Sequence, residues 1–105
     1  MAVMSRNQTR FEEHSREIWE RLTPDEREEA RFHRSEIRLG MSINALRHAR
    51  GLTQAQLAER SGVPQGQISR IEQAVGVNPT QKTLLKLALA LDADLCIVPH
   101  DAVSD

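Results

Sequence analysis

Aromatic residues are almost missing from this 105-residue chain: Phe11, Trp19 and Phe32 are the only three, and there is no tyrosine. All three precede residue 40, so the rest must build its core from Leu, Ile, Val, Ala and Met. That composition suits a small helical bundle better than a β-sandwich. Cys96 is the single cysteine, which excludes an intramolecular disulfide and a four-cysteine zinc site. It is expected to be a small buried hydrophobe within a short strand. His14, His33, His48 and His100 include no pair three or four residues apart, so no metal site is expected. The longest apolar run, Leu87 to Leu91, is far too short to span a bilayer, and nothing resembles a secretory signal. A cytosolic protein without membrane contact is the expectation. No glycine-rich phosphate loop, Ser/His/Asp arrangement or paired carboxylates in a pocket are visible, so neither an enzyme nor a cofactor is expected.

One sign of charge does not dominate either, since the net charge is −1. Its distribution is more informative. Residues 1–40 carry eight Arg against nine Asp and Glu, and residues 79–105 hold two Lys against four Asp. Between them Arg47, Arg50, Arg60 and Arg70 face only Glu59 and Glu72. A positive centre between mildly acidic flanks permits a nucleic-acid partner.

Along the chain, residues 1–10 read as a frayed polar end. Phe11, Ile18, Trp19 and Leu22 then mark one stripe of a helix. Thr23-Pro24-Asp25-Glu26 restarts the chain with a capping box and a proline at the first helical position. The second helix is expected to run towards Gly40 with Ala30, His33, Ile37 and Met41 on one face, and a third from Ser42 to Arg50. Thr53-Gln54-Ala55-Gln56 caps a fourth helix ending at Ser61. Gly62-Val63-Pro64 breaks it before a fifth from Gln65 to Gln73. A sixth runs from about Thr80 to Leu91, with Leu84, Leu87, Ala88 and Leu91 inward and Leu85 and Leu89 as a second apolar stripe. Residues 94–99 read as a short strand ended by Pro99. A lone strand leaves its backbone unpaired, so it points to a partner from a second copy.

The segment Gly51 to Gln73 sets a capped helix, a glycine-centred turn and a short second helix at the spacing of a DNA-binding helix-turn-helix. Ala58 is small where the helices cross, and Gly62 supplies a positive φ. Leu57, Val63, Ile68 and Ile71 are expected to bury the inner face.

On these residues, together with Leu46-Arg47, Arg50-Gly51-Leu52, Ser69-Arg70-Ile71-Glu72 and Thr83 to Ala88, the stretch from about Ile43 to Leu91 resembles the phage-repressor (Xre-type) helix-turn-helix family. The resemblance implies that Gln54 and its helix N-terminus hold a phosphate. It also implies that Gln65, Gly66, Ser69 and Arg70 face bases in the major groove. Gln67 lies at the edge of that face, within reach of a phosphate. Arg can grip guanine, and Gln adenine, through two parallel hydrogen bonds. Glu72 matches a structural glutamate, paired with Arg47 or a backbone amide. Pro64 departs from the pattern where Ser or Thr often caps, and Ala74-Val75-Gly76 replaces a common Asn-Gly or Arg-Gly ending.

The fold expected is all-α: a repressor-like five-helix domain over residues 41–93, an N-terminal helical arm over 1–40 and a C-terminal strand and tail over 94–105. Leu85, Leu89, Leu95 and Ile97 are the expected contacts of a homodimer over a palindromic double-stranded site. The arrangement of a helical N-terminal extension, a repressor-like domain and a C-terminal strand also looks like that of HigA-type antitoxins, which implies autorepression of an operon and a small ribonuclease toxin as partner, held by residues 11–40 with Phe11, Trp19 and Phe32 as anchors. Three alternatives stand beside this: two solvated helices that only close the core, a stand-alone repressor, and a protein-binding module that kept the fold.

Overall fold

The computed structural model describes residues 6–100, with side chains for residue 10 and residues 12–100. Its described residues form five α-helices and no strand: α1 (Arg6–Arg21), α2 (Pro24–Ala49), α3 (Gln54–Ser61), α4 (Gln65–Gln73) and α5 (Gln81–Ala90). The chain divides into two compact units, Met1–Arg34 and Ser35–Asp105.

In the first unit, α1 begins at Arg6, so residues 6–10 are helical rather than frayed. Its end is held by Arg27, whose Nε and Nη2 donate to the carbonyls of Trp19 and Glu20 at 3.0 and 3.2 Å. The restart at Thr23 is the expected capping box. Thr23 N–H donates to Glu26 Oε1 at 2.9 Å, and Glu26 N–H to Thr23 Oγ1 at 3.2 Å. These bonds hold the Glu26 carboxyl below its ordinary value.

In the second unit the core is Ile43, Leu52, Leu57, Val63, Ile68, Ile71, Leu87 and Leu91. Each such aliphatic side chain, removed from water, contributes about 1.5–3 kcal/mol. Leu39, Leu46, Ala58 and Leu84 pack around this set. Helix α3 packs against both α4 and α5 and is the centre of the unit.

Three expectations about helices change. The break near Gly40 does not exist, because α2 runs unbroken to Ala49 and the expected second and third helices are one. Five helices are found across the described residues together, and residues 41–93 hold the end of α2 with α3, α4 and α5. The inward face of α2 also differs: Gly40, Ile43 and Arg47 are buried, whereas Ile37 and Met41 are exposed. Glycine inside a helix breaks it only when nothing else rewards the helical conformation there.

The expected strand at 94–99 is not formed either. No backbone hydrogen bond joins it to another described segment, and the described residues offer no second strand to pair with. Cys96 in this stretch is exposed, not buried, and Leu95, Ile97 and Val98 are exposed as well.

Three helices end in the same hydrogen-bonded loop, with one residue at positive φ. After α2 it is Gly51 (φ 68°), after α4 Ala74 (φ 55°) and after α5 Asp92 (φ 54°). At the α4 end, Val75 N–H reaches Arg70 O at 3.0 Å and Ala74 N–H reaches Ile71 O at 3.1 Å. Ala74 carries a Cβ where glycine is the relaxed choice. Ala74→Gly is therefore expected to raise stability by about 0.5–1 kcal/mol, read from urea denaturation; an unchanged or lowered midpoint would contradict this.

Candidate nucleic-acid interface

The helix-turn-helix forms as its local chemistry requires. Thr53 caps α3: its Oγ1 accepts from Gln56 N–H at 3.1 Å, while Gln56 Oε1 accepts from Thr53 N–H at 2.9 Å. The amides of Gln54 and Ala55 remain without an intrahelical acceptor, as in the first turn of any α-helix. Gly62 closes α3 at φ 75°, its N–H donating to Ala58 O at 2.9 Å. Pro64 takes the cap position of α4 without a side-chain bond. Its carbonyl accepts from Gln67 and Ile68 at 3.0 and 3.1 Å, so the turn survives the loss of a capping hydroxyl.

On α4, Ile68 and Ile71 point into the core. Helical periodicity sets Gln65, Gly66, Ser69 and Arg70 together on the opposite side. Gln65, Gly66 and Arg70 are exposed, while Gln67 and Ser69 are half-buried. Ser69 Oγ accepts a long bond of 3.5 Å from Gln73 Nε2. Arg70 has no ion-pair or hydrogen-bond partner among the described residues. Gln54 is placed differently from its neighbours in the expected set. It is half-buried, and its Nε2 donates to Glu72 Oε1 at 3.3 Å.

Glu72 is the junction behind this face. Arg47 Nε donates to its Oε2 and Arg47 Nη2 to its Oε1, both at 2.8 Å, in a two-pronged pair. Asn44 Nδ2 adds a bond of 2.7 Å to Oε1, and Arg47 Nη1 donates to Leu52 O at 2.9 Å. The two charged side chains are 9% and 3% exposed. Burial alone would push the Glu72 carboxyl up. The bonds from Arg47, Asn44 and Gln54, with the charge of Arg47, outweigh it and hold the carboxyl below its ordinary value. Arg47 is raised correspondingly, chiefly by its bond to Glu72. Of the two partners the sequence offers Glu72, the structure therefore selects Arg47. Asn44 was missed, and only its place three residues before Arg47 on the inward side of α2 hinted at it.

The remaining expected contacts lie elsewhere. Leu85, Leu89, Leu95 and Ile97 are all exposed, Leu89 at 77% and Ile97 fully. In the first unit, Phe32 is 66% exposed. Trp19 is half-buried, with the guanidiniums of Arg27, Arg31 and Arg34 at 5.7, 5.3 and 5.8 Å from its ring centroid. The side chain of Phe11 lies outside the described residues. No helix among the described residues is long and apolar enough to cross a membrane.

A capped helix, a glycine turn and a second helix with a polar outer face are the parts of a helix-turn-helix of the kind found in DNA-binding regulators. The chain belongs to the helix-turn-helix family, which it matches over residues 43–98. No curated protein and no solved structure matches it.

Two outcomes test the junction. Arg47→Met is expected to cost about 3–5 kcal/mol in urea denaturation, because it strands the Glu72 carboxylate away from water. The pH dependence follows from the lowered Glu72 value. Its stabilisation is fully present above the pKa of an unfolded glutamate and is lost as pH falls through the lower folded value. Urea midpoints between neutral pH and about pH 3 should fall steeply, and Glu72→Gln should flatten that slope. An unaltered slope would remove Glu72 from the account.

Proposed function

We propose that the protein is a sequence-specific regulator that reads a palindromic site in double-stranded DNA. Gln65, Gly66, Ser69 and Arg70 meet base edges, and Gln54 and Gln67 meet phosphates beside the free first-turn amides of α3. The observation that carries this reading is Gly66. It has no positive φ, and a Cβ added to it would meet nothing within 4 Å. Glycine is a poorer helix former than alanine, if less costly in a first turn than mid-helix, and no neighbour among the described residues requires it here. A surface that must come close to a ligand supplies the missing reason. The unpaired Arg70 on the same side supplies the charge.

The finer reading keeps residues 41–93 as the DNA-binding domain and residues 94–105 as a dimerisation element. Leu85, Leu89, Leu95 and Ile97 would be covered by a second copy. Strands at 94–99 would pair across the two-fold axis and set two α4 helices about 34 Å apart, one turn of DNA. Residues 1–40 form a partner-binding arm. In this reading the protein is the antitoxin of a type II pair, holding a small ribonuclease toxin and repressing its own operon. The exposed Phe32 supports such an arm, since buried aromatics often dominate an interface. Trp19, surrounded by three arginines of its own unit, favours instead an arm folded on itself and a stand-alone repressor.

The test selects duplexes from a random-sequence pool and measures affinity by fluorescence anisotropy against a scrambled duplex at two salt concentrations. Arg70→Ala should weaken the selected duplex by about 1–3 kcal/mol, and affinity should fall steeply with salt. Gly66→Ala should act in opposite directions, raising the urea midpoint while weakening the selected duplex. Equal binding to both duplexes, indifferent to Arg70, would reject the reading.

A further inference from the structure

We propose that Gly40 is a positioning residue for the DNA-reading helix, which its missing side chain allows to sit directly against α2; this rests on the reading that α4 meets bases. A Cβ on Gly40 would fall onto the carbonyl oxygen of Ile71, and would lie 2.9 Å from the Glu72 oxygen and 3.1 Å from its carbonyl carbon. These are backbone atoms of the last turn of α4, so no change of rotamer relieves the clash. Gly51, Gly62 and Gly76 differ in kind: each has a positive φ and nothing within 4 Å of an added Cβ. Gly40 has an ordinary helical conformation, so backbone geometry gives glycine no reason to be there. Its reason is the carbonyl end of α4.

One turn further along α2, Asn44 holds the Glu72 carboxylate at 2.7 Å. Gly40 and Asn44 thus grip backbone and side chain of the same residue. Gly40 sets how closely the end of α4 approaches α2, and Asn44 stops α4 from rolling about its axis. Together they set the pitch at which Gln65, Gly66, Ser69 and Arg70 are presented. Gly40 lies three residues before the stretch that matches the family, so one part of the seat lies outside that stretch and the other, Asn44, inside it.

The test compares Gly40→Ala with wild type on the selected and the scrambled duplex. A variant that is merely less stable binds both duplexes more weakly by one factor, because only its folded fraction changes. Displacement of α4 instead lowers the ratio of the two affinities, and a drop of about tenfold is expected, against an unchanged ratio for Met41→Ala at the exposed neighbouring position. An unchanged ratio in folded Gly40→Ala overturns the proposal. If Gly40→Ala does not fold, Asn44→Ala decides by the same ratio, with a loss of about threefold expected and none overturning it. If wild type itself prefers neither duplex, the DNA reading fails separately. The seat is then judged by amide hydrogen exchange without DNA. Exchange that quickens at Ala74 and Val75, whose N–H groups close α4, more than at the core amide of Leu57 supports it, and an equal rise at all three or none overturns it.

Discussion

The Glu72 carboxylate holds the DNA-binding unit in register. It takes two prongs from Arg47, one bond from Asn44 and one from Gln54. Three helices therefore meet at one side chain: α2 through Asn44 and Arg47, α3 through Gln54, and α4 through Glu72 itself. Apolar contacts alone would allow these short helices to slide, because dispersion and burial have little direction. A charge whose side chain is 3% exposed tolerates little sliding, since each lost bond leaves a buried acceptor unmet. The arrangement is specific more than it is strong. Desolvation of both ions consumes much of their attraction, so the pair orders the helices at modest net gain.

This junction links the two roles assigned to the unit. Gln54 opens α3, where free amides are suited to a phosphate, and its side chain also touches the carboxylate behind α4. The N-terminus of α3 and the helix α4, to which we assign phosphate and base contacts, thus share one anchor. Behind α4 the chain is polar and fully bonded at Glu72, apolar at Ile68 and Ile71, and stripped to glycine at Gly40. In front it is polar, exposed and lightly bonded. A reading helix needs this contrast, because side chains that meet bases must be free while their backbone is held.

The two glycines of this region show why residue type alone does not reveal purpose. Gly40 and Gly66 both lie within unbroken helices, with helical backbone geometry. Gly40 is demanded from within, by the carbonyls of Ile71 and Glu72, whereas Gly66 faces open space. The first is a constraint on packing and the second a constraint, in our reading, on what approaches from outside. Neither purpose is written in the local pattern, which for Gly40 suggested only the end of a helix.

Local chemistry made α3, α4 and α5 legible in the sequence. Thr53 and Gly62 act within four residues of themselves, as does Thr80, whose Oγ1 accepts from Thr83 N–H at 3.2 Å to cap α5, and the apolar spacing of Leu57, Ile68, Ile71, Leu87 and Leu91 announces the buried side of each helix. The outward set on α4 followed from the same periodicity together with the family resemblance. The unbroken course of α2 was not legible, because the reward for keeping Gly40 helical comes from α4, about thirty residues away. Extended structure at 94–99 was expected for the opposite reason: the short apolar run Leu95, Cys96, Ile97 and Val98 before Pro99 signals a strand, but a strand exists only where a second backbone meets it. The choice of Arg47 for Glu72, the addition of Asn44 and the turning of Gln54 inward also belong to tertiary structure. Each depends on atoms brought together across distant helices, which sequence spacing cannot specify.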